Sequence, residues 1–346
     1  MAIEIKSWAQ DKALLETQFG IYLPHAKEYT SARVGDSAST AITGSNSAIP
    51  SLFTTYIEPQ LIEILIAPLK AAQIYGEGRK GDWLHDTIMF TVVEAGGDVG
   101  PYGDYQNEGI AKVNTNFPQR QQFLVQTFAQ WGDREIGRAQ LANINIPARK
   151  QVAAALTLNH WQNQSYFFGV ANIQNYGALN DPNLLPAIQP DTKVAGGTTW
   201  AKATAMEIYE DIQKLYQTLQ AQTQGVINLD NAVDMDSPLK LVVSNNVQAH
   251  FLKTNQYGIG VLDLLKKNFP NLVQISAPQL STSGGELVQL FVEQYQGINT
   301  FTCAFSEKLR SHGVVREASS YKEKFTQGSW GTILLRPVLV AQMLGV

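Results

Sequence analysis

Cysteine is nearly absent from this chain: Cys303 is the single one in 346 residues. One thiol excludes a disulfide framework and any zinc site built from several cysteines. It fits a reducing compartment. Charge is also scarce, with Asp, Glu, Lys and Arg at 16% against about a quarter in ordinary soluble domains. The formal net charge of −4 excludes a general nucleic-acid binder held by a basic field. Long apolar runs are missing too. The strongest candidates, "LIEILIAPL" and "PVLVAQMLGV", are interrupted well short of the ~18 residues of a membrane span. The opening "MAIEIKSWAQDKALL" carries charges where a signal peptide needs an apolar core. The expectation is a soluble intracellular product with no membrane partner.

The residue patterns of catalysis are equally thin. His25, His85, His160, His250 and His312 are scattered and form no close pair. No Walker sequence or G-x-S-x-G elbow occurs. Gly76, Gly78 and Gly81 spell G-x-G-x-x-G, but broken apolar sequence precedes them and a strand follows, so they read as a turn rather than a dinucleotide cradle. Asp230, Asp234 and Asp236 cluster without the central glycine of a calcium loop, so a solvated loop is the reading. Cys303 sits in an apolar strand, where a small buried hydrophobe is the default. No cofactor and no metal are expected.

What the chain has instead is apolar bulk, at 44%, and visibly abundant Gln, Asn, Ser and Thr. A surface built from amides loses less on burial than one built from charges, which favours assembly. Residues 1–50 contain the small, polar tract "SARVGDSASTAITGSNSA", too poor in apolar side chains to order itself. Residues 51–75 are strongly apolar but broken by Pro59 and Pro68. "WLHDTIMFTVVE" (83–94) and "QRQQFLVQTFAQW" (119–131) alternate as strands. The Gly- and Asn-rich stretch between them makes a long two-stranded ribbon with a loose tip. Such a ribbon is marginal alone and needs a partner surface. Asp98, Tyr102, Tyr105, Phe117, Phe123 and Val125 are the candidate contacts to that surface.

Residues 133–168 read as helical, with Asp133 as N-cap, Pro147 starting or kinking the next segment and Gly169 as the stop, and with Ala155, Leu158, Trp161 and Phe168 on one side. "GALNDPNLLPAI" (177–188) then combines two prolines, turn-forming Asn180 and Asp181, and three leucines. It reads as a rigid corner, with Gly177, Leu179, Asn180 and Pro182 as its hinge residues and Leu184 and Leu185 pinning it to the helix. Thr198 or Thr199 caps a second helix carrying Met206, Tyr209, Ile212, Leu215 and Leu219. Strands at 239–244, 287–295 and 301–305, with short helices between, complete a mixed region. The end, 329–344, reads as one apolar strand returning to the first region. The fold class is α+β.

This order of parts resembles the major capsid proteins of tailed bacteriophages, the Hong-Kong-ninety-seven-type fold that encapsulin shells share. The stretch "FFGVANIQNYGALNDPNLLPAI" carries the resemblance: a helix ending in glycine, then a Gly-Leu-x-Asn type of turn. Here Gly169, Gly177, Leu179 and Asn180 fill those places, with Ala178 inserted. The resemblance implies an N-terminal arm (1–50), an extended β-hairpin loop (83–131), a peripheral domain with a spine helix (51–82, 132–189 and 311–346) and an axial domain (190–310). It implies a non-enzymatic subunit that forms pentamers and hexamers of itself around packaged DNA, without sequence-specific binding to that DNA. It leaves room for scaffold, portal and decoration proteins. The chain would occupy the virion capsid, and the host cytoplasm before assembly. An encapsulin-like compartment shell and an unrecognised cytoplasmic enzyme stand as alternatives.

Overall fold

The computed structural model describes residues 69–105, 108–141, 144–227 and 238–346. The tract 1–50, the apolar run through Pro59 and Pro68, His25, and the aspartates at 230, 234 and 236 lie outside the described residues.

The described residues open with helix α1 (Ala71–Tyr75) and strand β1 (Glu77–Arg79). The ribbon strands follow: β2 (Thr87–Met89), β3 (Val92–Gly97), β4 (Ala111–Asn116) and β5 (Gln119–Gln121). Then come β6 (Phe123–Gly132), α2 (Asp133–Leu141), α3 (Ile146–Phe168) and α4 (Ala205–Gln222). After β7 (Leu239–Val243) lie α5 (Asn245–Gln248), α6 (Val261–Asn268), β8 (Leu272–Ser276) and β9 (Ser281–Thr282). The last strands are β10 (Gly285–Val292), β11 (Gln294–Tyr295), β12 (Ile298–Asn299), β13 (Phe301–Arg316), β14 (Ser320–Leu334) and β15 (Val340–Leu344).

Two sheets organise the body. One runs β1-β13-β14-β6, with β1 parallel to β13 and the other pairs antiparallel. The other runs β15-β10-β7-β8, with β9 also pairing β10. Helices α4 and α6 cover one face of the second sheet: Ile208, Ile212, Leu215, Leu219 and Leu265 pack on Leu241, Val288 and Leu290. The opposite face, through Val242, Leu287 and Phe291, meets Tyr75, Phe167, Phe301 and Cys303 in one aromatic cluster. Tyr75 touches Phe167, Phe291 and Phe301 with ring centroids 4.9–5.8 Å apart, a favourable aromatic spacing. The cluster joins the two sheets through a shared core.

Several expectations change. Of the two readings at Pro147 the start holds and the kink does not: the Asn145 side chain accepts from Ala148 N and Pro147 opens α3 as a separate helix. The buried side of α3 runs through Ala154, Leu158, Gln162 and Ser165, while Phe168 is exposed. Polar residues enter that face because each finds a partner. Asn163 Oδ1 accepts from Ala71 N at 3.0 Å, Ser165 Oγ lies 2.9 Å from Ser329 Oγ, and Gln162 Nε2 donates to the Tyr166 hydroxyl at 2.7 Å. Helix α4 starts at Thr204, not Thr198 or Thr199, in a capping box with Glu207. Gly76 ends α1 and Gly78 lies inside β1, so only Gly81 of the three glycines turns the chain after a strand.

Three strand expectations also change. The 301–305 strand extends to Arg316 and belongs to the first sheet. The 329–344 strand is divided by a helical turn at Pro337–Leu339, and its last part, β15, pairs with β10 in the second sheet instead of returning to the first. The expected second ribbon strand, 119–131, is split as well. Only β5 stays in the ribbon, while β6 pairs with β14 from Phe123↔Ser329 to Gly132↔Ser320.

Candidate functional site

The ribbon is two short ladders in line. β2 pairs β5 in the register Thr87↔Gln121 to Met89↔Gln119. β3 pairs β4 from Val92↔Asn116 to Gly97↔Ala111. Asp98 N donates to Ile110 O at 3.2 Å and begins the tip. Among the described residues, β3 and β4 find no third strand, and every residue of β4 is exposed. Val93, Ile110, Val113 and Phe117 are all more than half exposed, and Val99 and Tyr105 are fully so. These apolar side chains are gathered on one two-stranded ladder, a form that is marginal alone, and are not scattered singly over the surface.

Of the candidate contacts, Asp98, Tyr102, Tyr105 and Phe117 lie on this ribbon and are exposed. Phe123 and Val125 do not lie there. They stand on β6, where the Phe123 ring lies 6.0 Å from that of Trp161 and Val125 packs beside Trp131 and Phe325. Alternation across Gln122 is continuous in the sequence, and the change of partner leaves no local mark.

The corner segment solves a problem posed by α3. The last carbonyls of a helix lack intrahelical partners. Here Ala178 N donates to Tyr166 O at 2.8 Å and Leu179 N donates to Phe167 O at 3.1 Å. Asn180 Nδ2 donates to Phe168 O at 2.6 Å, and Asn180 Oδ1 accepts from Gly177 N at 2.7 Å. A Cβ on Gly177 would overlap the Phe167 carbonyl, so the backbone approach admits only glycine. Leu179 and Leu184 pack against the aromatic cluster. The segment then reaches the second sheet, where Ile188 N donates to Gln342 O at 2.8 Å and Leu344 N to Ile188 O at 2.9 Å. Of the four hinge residues, Gly177, Leu179 and Asn180 meet the helix end, and Pro182 is exposed.

The sequence reading missed the buried charges that fasten this region. Asp181 pairs with Arg120 of β5 at 2.7 Å. Lys240 Nζ donates to Ile74 O at 2.8 Å and to Glu293 Oε1 at 2.8 Å, tying the second sheet to α1. Lone polar residues far apart in sequence carry no signal of such pairings.

Among the described residues, no group of three or more His, Cys, Asp or Glu side chains is placed to hold a metal ion. His85 Nδ1 accepts from Asp82 N at 3.1 Å, and His312 Nε2 lies 3.0 Å from Thr326 Oγ1. Burial and nearby Lys253 lower the pKa of His250. Burial, reinforced by Glu77, pushes the Tyr166 phenol well above its ordinary value, so it donates to Glu77 Oε1 as a neutral hydroxyl. No helix among the described residues is long and apolar enough to cross a membrane.

The architecture has close counterparts in solved structures. The chain is similar to the capsid of Myoviridae phage XM1, with 17% identity and a TM-score of 0.72 over 87% of this chain and 100% of that one. It is similar to the capsid of an empty GTA particle, with 9% identity and a TM-score of 0.56 over 87% and 99%. Mycobacterium phage Ogopogo gives 7% identity and a TM-score of 0.52 over 86% and 98%. At such identities the likeness is one of fold. No curated protein matches. The family model for the Pa193 gp26 major capsid protein matches residues 40–345. A match across nearly the whole chain, on this α+β architecture, establishes that the protein belongs to the Pa193 gp26 major capsid protein family and is a phage shell-forming protein.

Proposed function

We propose that the ribbon at 87–121 is the element through which each subunit is held by its neighbours in the shell, lying across an adjoining copy instead of on its own body. The observation that carries this reading is the isolated β3–β4 ladder with its exposed Val93, Val113, Phe117 and tip tyrosines. Burying several hundred Å² of such surface at about 25 cal/mol per Å² contributes several kcal/mol per contact before ordering costs. Repeated around a closed lattice, modest contacts become durable.

On this reading residues 190–300 with β15 cluster at pentameric and hexameric vertices, α3 is the spine, and residues 1–50 act as an arm. The role is structural, with no catalysis by the subunit itself. The mildly acidic chain, at −4, suits a container that must not adhere to the DNA inside it. Scaffold, portal and decoration proteins are the remaining partners, met in the host cytoplasm before the virion is complete. Membership in a major capsid family does not favour an encapsulin compartment.

The test is deletion of residues 95–118, followed by electron microscopy and circular dichroism. Loss of shells with retention of a soluble, folded subunit is the expected result. Shells unchanged from wild type would refute the ribbon's role.

A further inference from the structure

Arg120 sits at the root of the ribbon, on β5 opposite Ile88, and is buried where the ladder beyond it is open. Its Nη2 donates to Asp181 Oδ2 at 2.7 Å, with 8% and 0% of the two side chains exposed. Its Nη1 donates to Gln119 O at 3.2 Å, and its guanidinium lies 4.9 Å from the centre of the Tyr176 ring. The other oxygen of Asp181 accepts from Asn183 N at 2.9 Å. Next to the pair, Gln121 N donates to Gln174 O at 2.8 Å, and Asn175 Nδ2 donates to Gln121 O at 3.0 Å. The ribbon root is thus fastened to the corner segment, which is itself fastened to the end of α3.

We propose that the Arg120–Asp181 pair is a positioning clamp that sets the direction in which the ribbon leaves the subunit, and through it the uniformity of shell curvature. The inference rests on the ribbon being an intersubunit contact. One backbone bond, Gln121 N to Gln174 O, and the Asn175 side chain hold β5 to the residues just ahead of the corner, and the tilt of the ribbon against the corner itself is left to the Arg120–Asp181 pair. A guanidinium held by a carboxylate at one end and by an aromatic ring across its face has its plane fixed. The lever is long: about nine residues at ~3.3 Å each give an arm of roughly 30 Å, so a tilt of about 10° at the root moves the tip by about 5 Å. That displacement is comparable to the size of a side chain and would take the tip tyrosines off their contact with a neighbour. A buried ion pair adds little stability over an apolar replacement, and specificity of arrangement is its best-attested use. Stability and direction can therefore be separated by experiment.

The double variant Arg120→Met with Asp181→Asn removes both charges while keeping bulk and the acceptor for Asn183 N. Its subunit should keep an unfolding midpoint near wild type. Amide exchange at Ile88 and Gln121 should be faster, and electron microscopy should show shells of mixed diameter or open sheets. Arg120→Lys keeps the charge but loses the fork and the ring contact, and should broaden the diameters less. Uniform shells of wild-type diameter from the folded double variant would overturn the proposal. If that variant does not fold, a wild-type diameter distribution from Arg120→Lys would overturn it. Deletion of residues 95–118 separates the two claims. If it abolishes shells while the clamp variants assemble normally, the clamp fails and the ribbon contact stands. If shells survive the deletion, the ribbon contact itself fails and the clamp falls with it.

Discussion

Lys193 and Asp211 face each other at 2.5 Å with 2% of either side chain exposed, and Trp200 Nε1 donates to the same Asp211 oxygen at 2.6 Å. The pair joins the loop before α4 to the second turn of that helix. Replacing Lys193→Met strands a buried carboxylate and should cost about 3–5 kcal/mol. Adding Asp211→Asn, which keeps an acceptor for the indole, should recover at least half of that loss. Urea midpoints of the two variants check the order, and a double variant less stable than the single one contradicts it.

Glycines 177 and 137 should respond in opposite ways to alanine. Gly177 is packed against the Phe167 backbone, whereas a Cβ on exposed Gly137 in α2 meets nothing within 4 Å. Gly177→Ala should destabilise by about 3 kcal/mol, at the upper end of overpacking costs. Gly137→Ala should stabilise by about 0.5–1 kcal/mol through helix propensity and reduced unfolded-state entropy. Thermal unfolding of both variants is the check.

Much of the local structure was legible in the sequence, and what was missed is largely long-range. The helix stop at Gly169, the apolar strand at 239–243 and the burial of Cys303 follow from local pattern and chemistry. So do the ribbon and its exposed tip, because alternating strands flank a stretch rich in turn residues. The change of partner at Gln122 was not legible, because β6 finds β14 almost two hundred residues later. The buried face of α3 was misread because Gln162, Asn163 and Ser165 are hidden by hydrogen bonds that hydropathy cannot register. The corner was recognised by its prolines and asparagine. Its grip on the ribbon through Asp181 and Arg120 was not, since either residue alone reads as a surface charge.

Acid should weaken the start of α4 through Glu207. Hydrogen bonds from Thr204 N and then Val194 N hold its carboxylate below the ordinary value near 4.5. A depressed carboxylate contributes stability above its unfolded value and loses it as pH falls through its lower folded value. Glu207→Gln should therefore lose less stability than wild type between pH 7 and the acid side of 4.5. Denaturation midpoints across that range test this, and parallel curves would contradict it.

Cys303 should be inert in the folded subunit. Its thiol is fully buried, and that burial pushes its pKa up to about 12. Thiolate, not thiol, is the reactive form. A thiol-reactive disulfide reagent should label no cysteine in native protein at neutral pH and one equivalent after unfolding. Rapid native labelling would show the site open.

Amide hydrogen exchange compared between free subunits and assembled shells bears most directly on whether the ribbon depends on adjoining copies. Residues 92–97 and 111–116 should exchange quickly in the free subunit and become strongly protected in the shell, while β7 and β10 are protected in both. Equal protection of the ribbon in the two states would mean that it is already supported within a single molecule, contrary to the role assigned to it.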